Sequence, residues 1–569
     1  MKTNKIITSA ISGLVLCAPL SGCTDHFLEI YPESNYTGES YYTSDKAVSK
    51  ACEPLYNRAW FNFNRRAIVG IGSYRANDAW NPYVSAEFAR FQTTALTGEV
   101  VQAWSSLYLA VTMSNAIIKD VTEHCGPAVS DEVRDRALGE AFLTRATSYF
   151  YMVRIWGPSI LIEDNDATVL HPQRPLNPEE DVFRFIIRDL RKAVTLLPEE
   201  SANGRVSKYA AEGMLAKVLL AHSGWNRNGQ RDEAELKECI ALCEDVIDHS
   251  GASLMEDYHQ LFRYQNNNNP ESLYAMQWAD PLVGGWSETN ALVSDLSFSD
   301  VCDVNCWGNN LQPSIDMIEY FNQGAVGEER WTATYFTEDV HYDYIKSEHG
   351  GYTYDKKWLQ VKKGVVGCKE DNDGHLAAQR SPLNTYILRL ADVYLTHAEA
   401  CLGNAETLTS GRGLASFNEV RRRAGLNPLQ SIDFWQIVRE RRVEFCMEYC
   451  NWFDMVSWYR WKPQEMLNYF NTEQHRAYEI QEKGVERINM PDGSFKLNYW
   501  VLNYFKNGGQ MWRLNPDGSD NPGFTLVEDK PHPVTVTESM IFIPYPEADV
   551  LQNPYLSMPP EPYDFDDEK

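Results

Sequence analysis

Ala137-Leu138-Gly139-Glu140-Ala141-Phe142-Leu143-Thr144-Arg145-Ala146, followed by Tyr149-Phe150-Tyr151, sets the architecture of this chain. Small residues at 137, 141 and 146 let a second helix approach closely, and the rings beyond fill the space where the two diverge. The same mix returns from Ala210-Ala211 to Ala221 and from Ala391 to Ala400. Apolar residues at three- and four-residue steps predict helices over 101–121, 131–156, 181–197, 206–223 and 232–247, and again over 382–402, 413–424 and 431–459. The fold class expected is all-α: a tetratricopeptide-like helix-hairpin scaffold of irregular period, carrying large loop-rich insertions.

Between the two helical blocks, residues 251–381 lose periodicity. Turn clusters such as Asn266-Asn267-Asn268-Asn269-Pro270 and many aromatics mark this stretch as an elaborated loop region, too aromatic to be disordered. Beyond Trp461 the chain is again irregular, with turn signals at Pro491-Asp492-Gly493 and Asn515-Pro516-Asp517-Gly518 and no sheet-forming series. The expected organisation is a leader over 1–22, a tether over 23–44, an N-terminal helical region over 45–250, a loop-rich ligand-binding region over 251–381, and a C-terminal helical region with its tail over 382–569.

The 569 residues include 70 aromatic rings, 12% of the chain, more than a core alone needs and suited to flat amphipathic binding surfaces. The formal net charge is −27, which repels a phosphate backbone and argues against nucleic acid as the main partner. Lys2 and Lys5, an apolar stretch from Ile6 to Leu20, and small residues after it read as a secretory signal too short to span a bilayer. Leu20-Ser21-Gly22-Cys23 resembles a bacterial lipobox, so Cys23 is the expected lipidation site and the membrane is engaged through that lipid alone. Ten cysteines remain after Cys17 leaves with the signal and Cys23 is acylated. Cys239/Cys243, Cys302/Cys306 and Cys446/Cys450 are spaced i,i+4 without CxxC or histidine companions, which favours small buried hydrophobes over metal ligands.

Chemistry has little support. Glu440, Glu444 and Glu448 share one helix face, as a glycosidase carboxylate pair might, but Arg439, Arg441 and Arg442 interleave with them and a catalytic pair more often spans a cleft between elements. A bracing charge network is the better reading, and HExxH, GxSxG and GxxxxGK[ST] are all missing. No enzyme activity and no cofactor are expected. A structural Ca2+ stays open but no DxDxDG spacing places it. Binding has positive support at Tyr74-Arg75-Ala76-Asn77-Asp78-Ala79-Trp80-Asn81-Pro82-Tyr83, where aromatic, amide, carboxylate and guanidinium groups share a turn-rich stretch. Sugars, with apolar C–H faces edged by hydroxyls, need that combination, which makes Trp80, Asn77, Asp78 and Tyr83 candidate ligand contacts.

Several stretches in order along the chain resemble the SusD/RagB family of Bacteroidetes outer-membrane nutrient-binding lipoproteins. They are Cys23 to Pro32, Gly139 to Ala146 with Trp156-Gly157-Pro158, Gly204 to Ala211, Leu388 to Leu395 with Ala398-Glu399-Ala400, Val420 to Leu426, and Ile543-Pro544-Tyr545-Pro546-Glu547. The family's Arg-Glu-Arg-Arg-x-Glu helix stands at Arg439 to Glu444, but its usual Gly and Arg just beyond are replaced in Glu448-Tyr449-Cys450-Asn451-Trp452, which puts a buried ion pair in doubt. The resemblance implies ligand contacts in the loop of Trp80 and in the irregular region before Trp307-Gly308 to Pro313-Ser314, adding Trp286, Asn290 and Trp307. It implies an outer-membrane lipoprotein facing the cell exterior that binds a glycan or oligosaccharide and acts as the lid of a SusC-like TonB-dependent transporter. A peptide ligand in the same role and a surface glycoside hydrolase are the alternatives.

Overall fold

The computed structural model describes residues 41–81, 83–202, 204–303, 306, 308, 311–476, 480–501, 511–524 and 534–565. The leader, Cys23, most of the tether and Trp307 lie outside the described residues. Besides short ones such as Asp45–Ala51 and Asn165–Leu170, five long helices precede the loop region: α1 (Gly98–His124), α2 (Asp131–Ile155), α3 (Glu179–Leu196), α4 (Lys208–Gly224) and α5 (Glu233–His249). Four follow the loop region: α6 (Leu390–Leu402), α7 (Arg412–Arg423), α8 (Phe434–Glu444) and α9 (Asn451–Trp461). From α1 to α7 each helix packs on the next in sequence, the arrangement of a helix-hairpin array. The expected helical scaffold is what forms.

Helix α2 is the centre of the array, buried on every side from Gly139 to Ile155. A helix surrounded in this way cannot be amphipathic, so its polar groups must each find a partner. Arg145 forks onto Asp189 of α3 at 2.7 and 3.0 Å and reaches Asn115 of α1 at 2.7 Å. Glu140 takes Arg205 of the α3–α4 connection at 2.7 Å. A close approach occurs at Gly139, a position outside the predicted 137, 141 and 146, where a Cβ would come within 2.7 Å of Leu197 Cγ. Tyr149 and Phe150 meet Phe185 and Phe183 of α3 edge-on.

Three readings change. Residues 382–402 do not form one helix: Thr385–Arg389 is a strand paired antiparallel with Ser272–Met276, and the helix starts only at Leu390. The run 431–459 breaks between α8 and α9, where Met447 and Tyr449 take φ of 60° and 67°. Asn451 Nδ2 bonds the Arg442 carbonyl at 3.0 Å, satisfying one of the acceptors freed at that helix end. Finally, the tail contains a β-hairpin, Ile480–Asn489 against Phe495–Val501. Its turn is the Pro491-Asp492-Gly493 signal, with Gly493 at φ 89° and Asp492 Oδ1 accepting from the Ser494 amide at 3.0 Å. Phe495, Leu497 and Tyr499 share one face, but Asn498 and Trp500 on the other are buried too, so the strand carries only a three-residue period-2 pattern, too short to stand out in sequence. Among the described residues no helix is long and apolar enough to cross a membrane.

Candidate functional site

The candidate face is built where the segment before α1 meets the loop region. Ala79–Trp80 pairs antiparallel with Gln312–Pro313, which brings the 74–83 cluster against the stretch that follows Trp307. Beside this small ladder lies a cavity of about 150 Å3 lined by Arg66, Tyr74, Asn81, Ser85, Asp295 and Gly308, with aliphatic groups between them. Arg66 and Asp295 form a two-pronged ion pair at 3.3 and 3.1 Å, and the carboxylate keeps the half-exposed guanidinium firmly charged. A planar cation and a carboxylate beside an amide form a donor and acceptor set suited to neighbouring hydroxyls.

Two predicted residues stand at the rim of this face. Tyr83 is 74% exposed, because Asn81 Oδ1 accepts from the Tyr83 and Val84 amides at 2.9 and 3.2 Å and turns the chain outward there. Trp286 is 42% exposed in a single turn, Trp286–Glu288, capped by Glu288 onto the Gly285 amide at 2.9 Å. Phe61 meets its edge at 5.9 Å and the Arg65 guanidinium lies 5.6 Å from its ring centroid. Arg65 and Arg66 are consecutive, so the indole and the cavity lie off neighbouring faces of the same short π-helix, Phe63–Ala67.

The other described candidates are interior, which corrects the expectation of an open cluster. Asn77 donates to Asp316 at 2.7 Å, and Asp78 accepts from Asn451 at 3.1 and 3.0 Å; both are buried. Burial pushes the Asp78 carboxyl up to about 7. Asn290 donates to the Leu383 carbonyl at 2.8 Å, and its backbone pairs with Ser381, so it anchors the loop carrying Trp286. Trp80 is 2% exposed, its ring under the Arg90 guanidinium at 5.2 Å. Hydrogen-bonding capacity alone could not separate these buried groups from Tyr83. Arg65, Arg66 and Asp295 carried no motif, whereas Asn81 sat inside the quoted cluster and its Asx-turn role was open to reading.

The carboxylate ladder is structural. Glu444 accepts from Arg389 and Arg330, both at 2.7 Å, and from Arg423. Glu440 pairs with Arg330 at 2.8 Å and Arg421 at 3.0 Å, and Glu448 with Arg389 at 2.8 Å and Lys363 at 3.1 Å. Burial opposes the Glu444 charge, yet Arg423, Arg389 and Arg330 hold that carboxyl well below the usual range. At the changed motif Asn451 gives the buried Asp78 two amide hydrogen bonds instead of a cation, so no ion pair is made from that position, while the carboxylate ladder takes its cations from outside the helix. Tyr449 adopts the left-handed backbone where the family has Gly, and its carbonyl lies so near Gly72 that a Cβ there would be 1.9 Å away. The ten described cysteines are free thiols.

The structure is thus a helical-repeat scaffold that presents an aromatic, polar face, an arrangement suited to holding a ligand at its surface. Residues 307–560 match the SusD family, and residues 26–220 match a family described as starch-binding, associating with outer membrane. A SusD-like protein of Bacteroides ovatus is 48% identical over 567 residues, covering 99% of both chains. A crystal structure solved with xylogluco-oligosaccharide superposes with a TM-score of 0.81 at 48% identity, covering 91% of this chain and 100% of that one. A SusD superfamily protein from Parabacteroides distasonis shares the fold, with a TM-score of 0.63 at 19% identity over 89% of this chain and 98% of its own. This chain belongs to the SusD family.

Proposed function

We propose that the protein is a cell-surface glycan-binding lipoprotein that captures an oligosaccharide with a xyloglucan-type backbone and delivers it to a SusC-like TonB-dependent transporter, closing over that transporter as its lid. The observation that carries this reading is the 48% identical structure solved with xylogluco-oligosaccharide, matched along nearly its whole length. The face around Trp286, Tyr83 and the Arg66–Asp295 cavity supports it, since it offers rings for sugar faces beside charged groups for hydroxyls. Trp286 and Trp307 serve as platforms in this proposal, while Trp80 packs inside the face and supports it. No bond is broken, and Glu440, Glu444 and Glu448 are already engaged by cations. Acyl chains on Cys23 hold the protein to the outer membrane, each buried CH2 contributing about 0.8 kcal/mol.

Calorimetric titration with xylogluco-oligosaccharide tests the site. The double variant Trp286→Ala, Trp307→Ala loses measurable affinity, and unchanged affinity would overturn the assignment. A peptide digest run as a control gives no heat. Cys23→Ser protein leaves the outer-membrane fraction, and if it stayed there the lipid anchor would be wrong.

A further inference from the structure

A second cavity, sharing no lining residue with the first, lies where α2, α4, α6, α8 and α9 converge. It measures about 20 Å3, room for one water-sized occupant. Arg154, Lys217, Arg231 and Arg441 reach its wall from α2, α4, the α4–α5 connection and α8. The carboxylates facing them are Glu399 and Asp454 on the wall and Asp392 just behind it, so four cations meet three anions in a largely buried region.

The hydrogen bonds localise the imbalance. Arg441 places Nε and Nη2 on Asp454 at 3.0 and 2.7 Å and Nη2 also on Asp392 at 2.7 Å. Lys217 takes Asp392 at 2.5 Å, and Arg231 pairs with Glu399, which also accepts from Trp458 Nε1 at 2.9 Å. Arg154 approaches a carboxylate no nearer than 3.9 Å, at Asp454, and burial pushes its guanidinium down to about 10. Three of the wall residues each carry a buried N–H group that finds no acceptor in the protein: Arg441 Nη1, Arg231 Nε and Trp461 Nε1. Each such orphan costs about 1–3 kcal/mol unless something accepts from it. A water would accept at most two of these bonds and add no charge.

We propose that this cavity binds one small monovalent anion of the halide class, chloride in a biological setting. The ion accepts from all three orphan donors, neutralises the surplus cation, and ties together five helices of the scaffold. It is a structural ligand, independent of the sugar face.

The probe is bromide. A crystal of the wild-type chain soaked in sodium bromide shows an anomalous difference peak inside the cavity. In solution at fixed ionic strength, the unfolding midpoint rises with bromide or chloride relative to gluconate, by about 1 °C for each tenfold increase above the Kd. Trp461→Phe keeps the ring, deletes one donor, and weakens the halide dependence several-fold. A cavity holding only water after the soak, or identical midpoints in chloride and gluconate, would overturn the proposal. The crystallographic arm needs no variant, so a misfolded Trp461→Phe protein leaves the test intact.

Discussion

The hub around Glu444 and the face around Trp286 are both clusters of charged and aromatic residues, yet they are built on opposite terms. At the hub, Arg330, Arg389 and Arg423, from three separate parts of the chain, close on one carboxylate with essentially no solvent exposure. At the face, the Arg66–Asp295 pair and Trp286 keep between a fifth and under half of their surface in water. Charge taken out of water must be matched group by group and then acts as a rigid fastener; charge left at a rim stays free to exchange partners with an incoming ligand. The whole molecule repeats the division. Its buried charged residues include thirteen Arg and Lys beside twelve Asp and Glu, so the net −27 resides outside that interior.

The contrast breaks if a hub variant behaves like a face variant. Glu444→Gln, the largest effect, leaves three guanidinium groups short of their common partner and costs about 3–5 kcal/mol of stability, read by chemical unfolding. The depressed Glu444 pKa gives the sign of its pH dependence: the stabilisation is present above the ordinary glutamate pKa and is lost as pH falls below it. Trp286→Ala does the reverse, lowering oligosaccharide affinity by about 1–3 kcal/mol in calorimetry while the unfolding midpoint stays within about 1 °C of wild type. Tyr83→Ala, at the same rim, costs affinity about two- to fivefold, and no loss at all would move the site away from Asn81.

The smallest effect lies between the two extremes. His222 sits between Glu235 at 2.7 Å and Glu180 at 3.2 Å; burial works against its charge, but the two carboxylates raise it to about 9. Its stabilisation is complete below the unfolded pKa near 6.5 and disappears as pH rises through about 9. Against His222→Gln, the wild-type midpoint is therefore higher by under about 2 °C at pH 6 and equal at pH 10. A gap that widened with pH would reverse the assignment.

The scaffold was legible because α2 and its neighbours carry both periodicity and small-residue contacts, two independent signals for one helix array. The hairpin at 480–501 was not, since its alternation covers only Phe495, Leu497 and Tyr499 and its first strand is interrupted by charges and Gly484. Within the candidate site, sequence chemistry pointed to the stretch at 74–83 but could not tell a buried amide from an exposed ring. Asn77 and Asp78 are fixed by Asp316 and Asn451, partners more than two hundred residues away. Trp286 entered by resemblance alone, and its neighbour Arg65 carries no local signal. Rings and charges cluster locally in sequence, whereas exposure is decided by what folds over them later.

The pairing of Ala79–Trp80 with Gln312–Pro313 has one further consequence. The two sides of the face are synthesised far apart in time, and neither half of the chain contains a complete site. Long-range pairings of this kind close late in folding. If the proposed face is the binding site, capture is thus a property only of finished molecules, and a chain stalled halfway, however helical, carries only one side of that face.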